Sequence, residues 1–290
     1  MDKPSPQSPA GFYAVDVTQP GSAPVLLTER VLTYSPDWRA AAYVEGGLTV
    51  VERVDTGQRW SLDTHGNPPA LSPDNLQLIW QESADYGPYE ARRTDVWLAD
   101  LRGAEASEPE LALSLYGGSV LAWFPDSQRW LISASPALTV EERVLSVFSL
   151  ADGSTIELAR AERISRVEIS SGGTWVAYFV SFAPDSPQNG VWIARSDGAP
   201  LRNGVLRHKL DWFGAYQWRD DERLLVVPME LGAASHVVWQ VEAGSGDAVR
   251  LTDPGLLPFK IAGGDWRVSP DGRQIVFVNA GDHALWLLTL

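Results

Sequence analysis

The sequence predicts an all-β protein, a six-bladed β-propeller of four-stranded antiparallel blades with its ring closed by an N-terminal strand. Two observations carry this. A Ser-Pro-Asp-Gly-like turn followed by a short apolar strand recurs along the chain, and no stretch has the length and periodicity of an amphipathic helix. Spacing then selects the architecture. The turns are anchored at positions 37, 74, 126, 172, 221 and 271. Their mean separation of about 47 residues matches propeller blades, and it is too long for leucine-rich or tetratricopeptide units.

The elements follow in order. Residues 1–10 (MDKPSPQSPA) have the composition of a flexible tether and lack the apolar centre of a signal peptide. They fit either a disordered terminus or the linker left once a signal or lipid anchor is removed. The second reading favours an extracytoplasmic location. Phe12–Val17 and Pro24–Thr28 read as strands. Tyr34-Ser35-Pro36-Asp37-Trp38 then leads into Ala41-Ala42-Tyr43, and Leu71-Ser72-Pro73-Asp74-Asn75 into Leu78-Ile79-Trp80. Phe124-Pro125-Asp126-Ser127 precedes Trp130-Leu131-Ile132. The copies at 172 and 221 lack the proline, and Val268-Ser269-Pro270-Asp271-Gly272 before Ile275-Val276-Phe277 is the cleanest.

In these turns Pro presets φ, Asp can accept bonds from its own backbone and Gly tolerates positive φ. The third strand of each unit centres on an aromatic: Trp97, Phe148, Trp192, Trp239 and Trp286. Recurrence at one place in the repeat assigns these rings to packing between blades. The last unit ends at Leu290 after three strands. Val25–Thr28 is therefore expected to pair with the strand around Leu285-Trp286-Leu287, making residues 11–290 one closed domain. Deletion through Thr28 should then melt the protein.

The repeated turn before an apolar strand resembles the WD-repeat-like motif of TolB-type propellers. The same motif occurs in the propellers that precede the hydrolase domain of prolyl-oligopeptidase-like peptidases. The resemblance runs from about Gly11 to Leu290, and copies four and five depart from it. It implies a non-enzymatic, TolB-like scaffold that binds a protein partner or a small ligand through one loop-rich face.

Composition narrows the function. A net charge of −14 argues against nucleic-acid and anionic-membrane surfaces, and the absence of Cys removes thiolate chemistry. No apolar run is long enough for a spanning helix. The four His stand apart, no Gly-x-Ser-x-Gly elbow is present, and no cofactor is expected. Asp37, Asp74, Asp126 and Asp271 are assigned to turns rather than to catalysis. The long connections Glu82–Thr94, Ala134–Glu142, Ser181–Gly190 and Thr252–Lys260 open on one face, where rigid scaffolds concentrate function. The richest supplies the candidate binding residues Asp85, Tyr86, Tyr89, Arg92 and Arg93, against the plainer reading of a solvated loop with its arginines paired to Glu82 and Glu90. A monomer is expected. The alternative is a propeller enzyme of hydrolase or lactonase type, with or without a metal, with its site at the central channel. That site would bring three or more carboxylate, Asn or His side chains to the axis.

Overall fold

The recurring turns are built as their chemistry requires. At the first, the Ser35 Oγ donates to Asp37 Oδ1 (2.7 Å), Arg39 N donates to the same oxygen (3.1 Å), and Ala40 N donates to Ser35 Oγ (2.9 Å). Ser72-Asp74 and Ser269-Asp271 repeat the pattern, and Asp126 caps Gln128 N. The residue after each aspartate has positive φ: Trp38 (62°), Asn75 (61°), Ser127 (57°) and Gly272 (69°). These aspartates are structural, as their place in the repeat implies.

The computed structural model describes residues 12–19, 21–29, 31–84, 92–136, 142–181, 186–201, 204–210, 214–229 and 232–290. Strands β1 (Phe12–Ala14) and β2 (Val25–Thr28) form a two-stranded sheet. Four-stranded antiparallel sheets follow. The first holds β3 (Val31–Tyr34), β4 (Ala40–Glu45), β5 (Leu48–Arg53) and β6 (Arg59–Leu62), and the second β7 (Ala70–Leu71), β8 (Gln77–Ser83), β9 (Arg93–Asp100) and β10 (Glu110–Tyr116). The third holds β11 (Ser119–Trp123), β12 (Arg129–Ala134), β13 (Arg143–Ser149) and β14 (Thr155–Ala161). The fourth holds β15 (Ile164–Ile169), β16 (Trp175–Val180), β17 (Gly190–Arg195) and β18 (Arg207–Lys209). The fifth holds β19 (Gly214–Trp218), β20 (Arg223–Pro228), β21 (Trp239–Glu242) and β22 (Ala248–Arg250). The last sheet has three strands, β23 (Ile261–Val268), β24 (Gln274–Asn279) and β25 (Leu285–Thr289). Each sheet is a sequential meander, the blade unit of a propeller.

The chain divides into two compact units: Met1–Asp85 with Arg93–Ser114, and Tyr86–Arg92 with Leu115–Leu290. Inside each, sheets pack face to face. In the first unit Ala42, Val51 and Trp60 meet Leu78, Trp80 and Leu101. In the second, β20 is buried on both faces. Leu224 and Val226 pack with Trp175 and Ile193, whereas Leu225 and Val227 pack with Phe259, Trp266 and Ile275. A strand covered on both sides reads as a continuous apolar run, and Leu224-Leu225-Val226-Val227 is one. Trp97 and Trp192 pack half-buried against such inter-sheet clusters, but Trp286 is exposed. The fully enclosed rings come mostly from second strands, such as Trp130 and Tyr178.

Two expectations are corrected. Val25–Thr28 pairs with Phe12–Ala14 and not with β25, whose registered partner is β24. Its residues Val25, Leu26 and Leu27 are 63%, 36% and 53% exposed, so the short segment gains little apolar burial to hold it to an edge. Removal of residues 1–28 is accordingly expected to shift the melting temperature by only a few degrees, measured by calorimetry. The fifth turn is also displaced by one residue. Asp220, not Asp221, caps its own turn, accepting from Glu222 N (3.0 Å) and Arg223 N (2.9 Å).

Asp221 does something else. The fourth turn has Gly172 where the other turns have aspartate, and Asp221 reaches from the next sheet to fill the gap. It accepts from Ser170 Oγ (2.6 Å), Gly172 N (2.9 Å), Thr174 N (3.2 Å) and Thr174 Oγ1 (2.6 Å). A Cβ on Gly172 would lie 2.6 Å from the Asp221 carboxyl carbon. In the first unit Asn75 ties successive turns in a related way, donating to both oxygens of Asp37 (3.0 and 2.9 Å). Gly214, which opens β19, is close-packed for a different reason: a Cβ there would meet the Val227 carbonyl oxygen at 2.1 Å. Gly214→Ala should cost about 1–3 kcal/mol, read by urea unfolding.

Candidate functional site

In the second unit the first strands of three successive sheets lie side by side, β15 against β19 and β19 against β23. Side chains fasten them. Tyr216 donates its hydroxyl to the Arg166 carbonyl, and Trp218 Nε1 donates to the Glu168 carbonyl (3.1 Å). The Gln217 amide donates to the Trp266 carbonyl (2.6 Å) and accepts from Val268 N (3.1 Å). In a propeller, the strands at which successive sheets approach one another are the inner ones.

A cleft of 500 Å3 opens beside these strands, within the usual size range of ligand sites. Its wall carries Arg166, Glu168, Tyr216, His236, Lys260 and Arg267. Met229 and Pro228 extend it toward the loop after β20, and Lys260 immediately precedes Ile261, the first residue of β23. The cleft thus lies at the end of the strands where the long connections emerge.

Local backbone places the charges. β15 carries a bulge between Ser165 and Glu168, and Arg166 sits in it with φ 49°. That left-handed conformation costs an arginine about 1–2 kcal/mol, and bulges commonly re-aim a side chain beside a site. β23 breaks register between Ile261 and Trp266, with Gly264 at φ 93° in the irregular stretch. Arg267 follows directly after Trp266. Lys260 donates Nζ to the Ala233 carbonyl (2.9 Å), and His236 Nδ1 accepts from Ile261 N (3.2 Å).

The electrostatics are unusual for this chain. Elsewhere arginines such as Arg59, Arg129, Arg195 and Arg223 sit in ion pairs. Among the described residues, none of Arg166, Lys260 and Arg267 has a carboxylate within ion-pair distance, although the protein has 37 acidic and only 23 basic side chains. The acid in the cleft is Glu168. Burial pushes its carboxyl above the usual range, and nearby Arg267 pulls only part of the way back. Burial, with a contribution from Glu168, also raises the Tyr216 phenol.

The loop residues selected from the sequence fare differently. Asp85, Tyr86 and Tyr89 lie outside the described residues. Arg93 is in β9, where its Nε bonds Asp95 Oδ1 (2.6 Å), and Glu90 lies outside the described residues. Arg92 is exposed, and its carbonyl accepts from Gly117 N (2.8 Å). Glu82 pairs with His65 at 2.7 Å. Sequence reasoning missed Arg166, Lys260, Arg267 and His236, because they are isolated in the chain and meet only when strands are placed. The signal that could have raised Arg166 and Arg267 is their position on first strands. No group of three or more His, Cys, Asp or Glu side chains among the described residues could hold a metal ion, and no described helix is long and apolar enough to cross a membrane.

No protein-family model and no curated protein matches the chain. Solved structures do. An oligogalacturonate lyase in complex with manganese aligns at 15% identity and TM-score 0.61, over 97% of this chain and 82% of its own. The oligogalacturonate lyase from Vibrio parahaemolyticus aligns at 11% identity and TM-score 0.59, covering 96% and 82%. The β-propeller domain of the Trilobed protease from Pyrococcus furiosus aligns at 14% identity and TM-score 0.55, covering 86% and 76%. At these identities the likeness is one of fold, and the fold is a β-propeller.

Proposed function

We propose that the chain is a six-bladed, monomeric, non-enzymatic binding propeller of the TolB-like kind, and that it takes an anionic ligand or an anionic group of a partner in the cleft beside β15, β19 and β23. The observation that carries this is the meeting of Arg166, Lys260 and Arg267 in one cleft beside a single carboxylate, Glu168, in an acidic protein. Unpaired cations at a partly desolvated cleft favour a carboxylate or phosphate, which arginine can grip with two parallel bonds. The surrounding negative protein slows approach of anions, so selectivity comes from the local site rather than from the overall field.

The raised Glu168 carboxyl favours a second reading, an enzyme using it as an acid or base. An axial enzyme site was expected to gather at least three carboxylate, Asn or His side chains. Among such types this cleft presents Glu168 and His236, so binding is the better supported reading.

Calorimetric titration with citrate, inorganic phosphate and galacturonate oligomers, against neutral galactose, tests the proposal. Saturable binding of at least one anion and none of galactose is expected. Binding of galactose alone, or of none of the four, would overturn it. Glu168→Gln should tighten the anion about 3- to 10-fold at neutral pH, by removing the one negative charge that faces it.

A further inference from the structure

In the first unit a recess of 480 Å3 is walled by His65, Glu82 and Trp97 among others, and Glu82 is already taken there, by Trp80 Nε1 (3.1 Å) and His65 Nδ1 (2.7 Å). The second unit carries a feature whose polar groups are not taken, the outer edge of β25. Five sheets have four strands each, whereas β25 ends a sheet of three and pairs with β24 alone. Register shows which backbone groups are free. Asn279 N donates to the Ala284 carbonyl (2.9 Å), and Leu290 N donates to the Arg273 carbonyl (2.8 Å). Antiparallel pairing alternates between bonded and non-bonded pairs, so Trp286 and Leu288 also turn their backbone groups toward β24. Leu285, Leu287 and Thr289 turn theirs the other way. Their N–H and C=O groups face outward, with no partner strand among the described residues.

The side chains of β25 are those of a covered strand. In the four preceding sheets the residue before the third-strand aromatic is buried, with Val96, Val191 and Val238 at 0% exposure and Val147 at 2%. Leu285 holds the same place in the last sheet and is 51% exposed, and Leu287 is 41% exposed. The outer strands of the complete sheets each carry charge, as with Arg59, Glu110, Glu157, Lys209 and Arg250. Charges on an edge discourage pairing with other chains. The run Leu285-Trp286-Leu287-Leu288-Thr289 has none.

The edge selects its occupant. An alternating row of donors and acceptors is matched by an extended polypeptide, whereas a lipid surface would leave those groups unpaired. Within the chain, Val25–Thr28 is engaged with β1. Residues 1–11 (MDKPSPQSPAG) include three prolines, each without the N–H that a ladder needs. A second copy would set one net charge of −14 against another. We propose that the outer edge of β25 docks an extended, uncharged apolar segment of a partner protein, which joins the last sheet as its fourth strand. This surface is independent of the anion reading of the cleft beside β15, β19 and β23.

The test follows the backbone amides of the 15N-labelled full chain. In the free protein the amides of Leu285, Leu287 and Thr289 should exchange with solvent at least about 10-fold faster than those of Trp286 and Leu288. A blocked heptapeptide of alternating valine and threonine is then titrated in. Saturable shifts in β25 and slowed exchange of the three outward amides are expected. Methylating alternate backbone nitrogens of the peptide should weaken binding at least about 10-fold, since it removes the ladder and keeps the side chains. Leu287→Lys, which guards this edge as the other outer strands are guarded, should weaken it to a similar degree, and Thr289→Lys serves if that variant unfolds. Outward amides as protected as their neighbours in the free protein would mean that the chain itself or a second copy covers the edge, and would overturn the proposal. So would the absence of saturable shifts in β25, binding indifferent to N-methylation, or binding unchanged in the folded lysine variant.

Discussion

Asp221→Ala is expected to lower the unfolding free energy by about 2–4 kcal/mol, with four donors losing a charged acceptor at once. Gly172→Asp should restore most of that loss. In the other turns the acid is local: Asp37 takes Ser35 Oγ and Arg39 N, and Asp221 takes the equivalent Ser170 Oγ and Thr174 N from across a sheet boundary. With Asp221 truncated, an aspartate at 172 can occupy the vacated space and cap the turn from within. In the parent chain the same substitution is expected to destabilise, since a Cβ at 172 stands 2.6 Å from the Asp221 carboxyl carbon and brings a like charge with it. Gly172→Asp therefore changes sign with its background. Urea unfolding of the four proteins in a double-mutant cycle measures this. Additive effects would mean that Asp221 does not stand in for the missing turn acid.

Protonation gives the same clamp a pH signature. Burial pushes the Asp221 carboxyl up, and the donors from Ser170, Thr174 and Gly172 outweigh it, leaving the group below the ordinary value of 3.8. A carboxyl with a depressed folded-state value contributes stability above its unfolded value and loses it as pH falls through the folded one. The stability gap between parent and Asp221→Ala should be full at neutral pH and shrink below about pH 4. A gap independent of pH from 7 to 3 would contradict the assignment.

Arg166→Gly is expected to separate binding from stability. Arginine at φ 49° in the β15 bulge is held in a conformation that glycine adopts without strain. Most of the relief is offset by the greater freedom of glycine in the unfolded chain, so the variant should melt within a few degrees of the parent, or above it. The bond from Tyr216 survives because it goes to the backbone carbonyl of residue 166. The guanidinium does not survive, and anion affinity in the cleft should fall at least about 10-fold, the scale of one charge-assisted hydrogen bond. Arg267→Ala should lose affinity similarly without the relief. Thermal melts with the calorimetric titration decide it. Unchanged affinity in both variants would remove the cations of β15 and β23 from the site.

The repeat was legible because its determinants are local. Ser, Pro, Asp and Gly specify a turn through contacts no more than a few residues apart, and apolar runs such as Leu224–Val227 announce a strand covered on both faces. Legibility failed where a contact crosses a sheet. The fifth turn was placed one residue late because Asp220 and Asp221 are adjacent acids, and only the geometry of β15–β20 shows which caps its own turn and which serves the previous one. The N-terminal strand was assigned to the last sheet from the number of strands, yet Val25–Thr28 hydrogen-bonds the strand before it.

The candidate sites mark the same boundary. By itself the sequence determined the all-β class, the meander of short strands, the turn chemistry and the end of the sheets at which the long connections emerge. Each of these is set by residues close in the chain. Only the tertiary structure decided that Arg166, Lys260 and Arg267 share one cleft and that Trp97, His65 and Glu82 share another. The first grouping depends on bulges in β15 and β23 that shift the face a side chain points to, and both depend on the packing of one sheet against the next. A bulge needs a single extra residue and leaves little trace in a period-two pattern, so the charges it brings together stay scattered until the strands are in register.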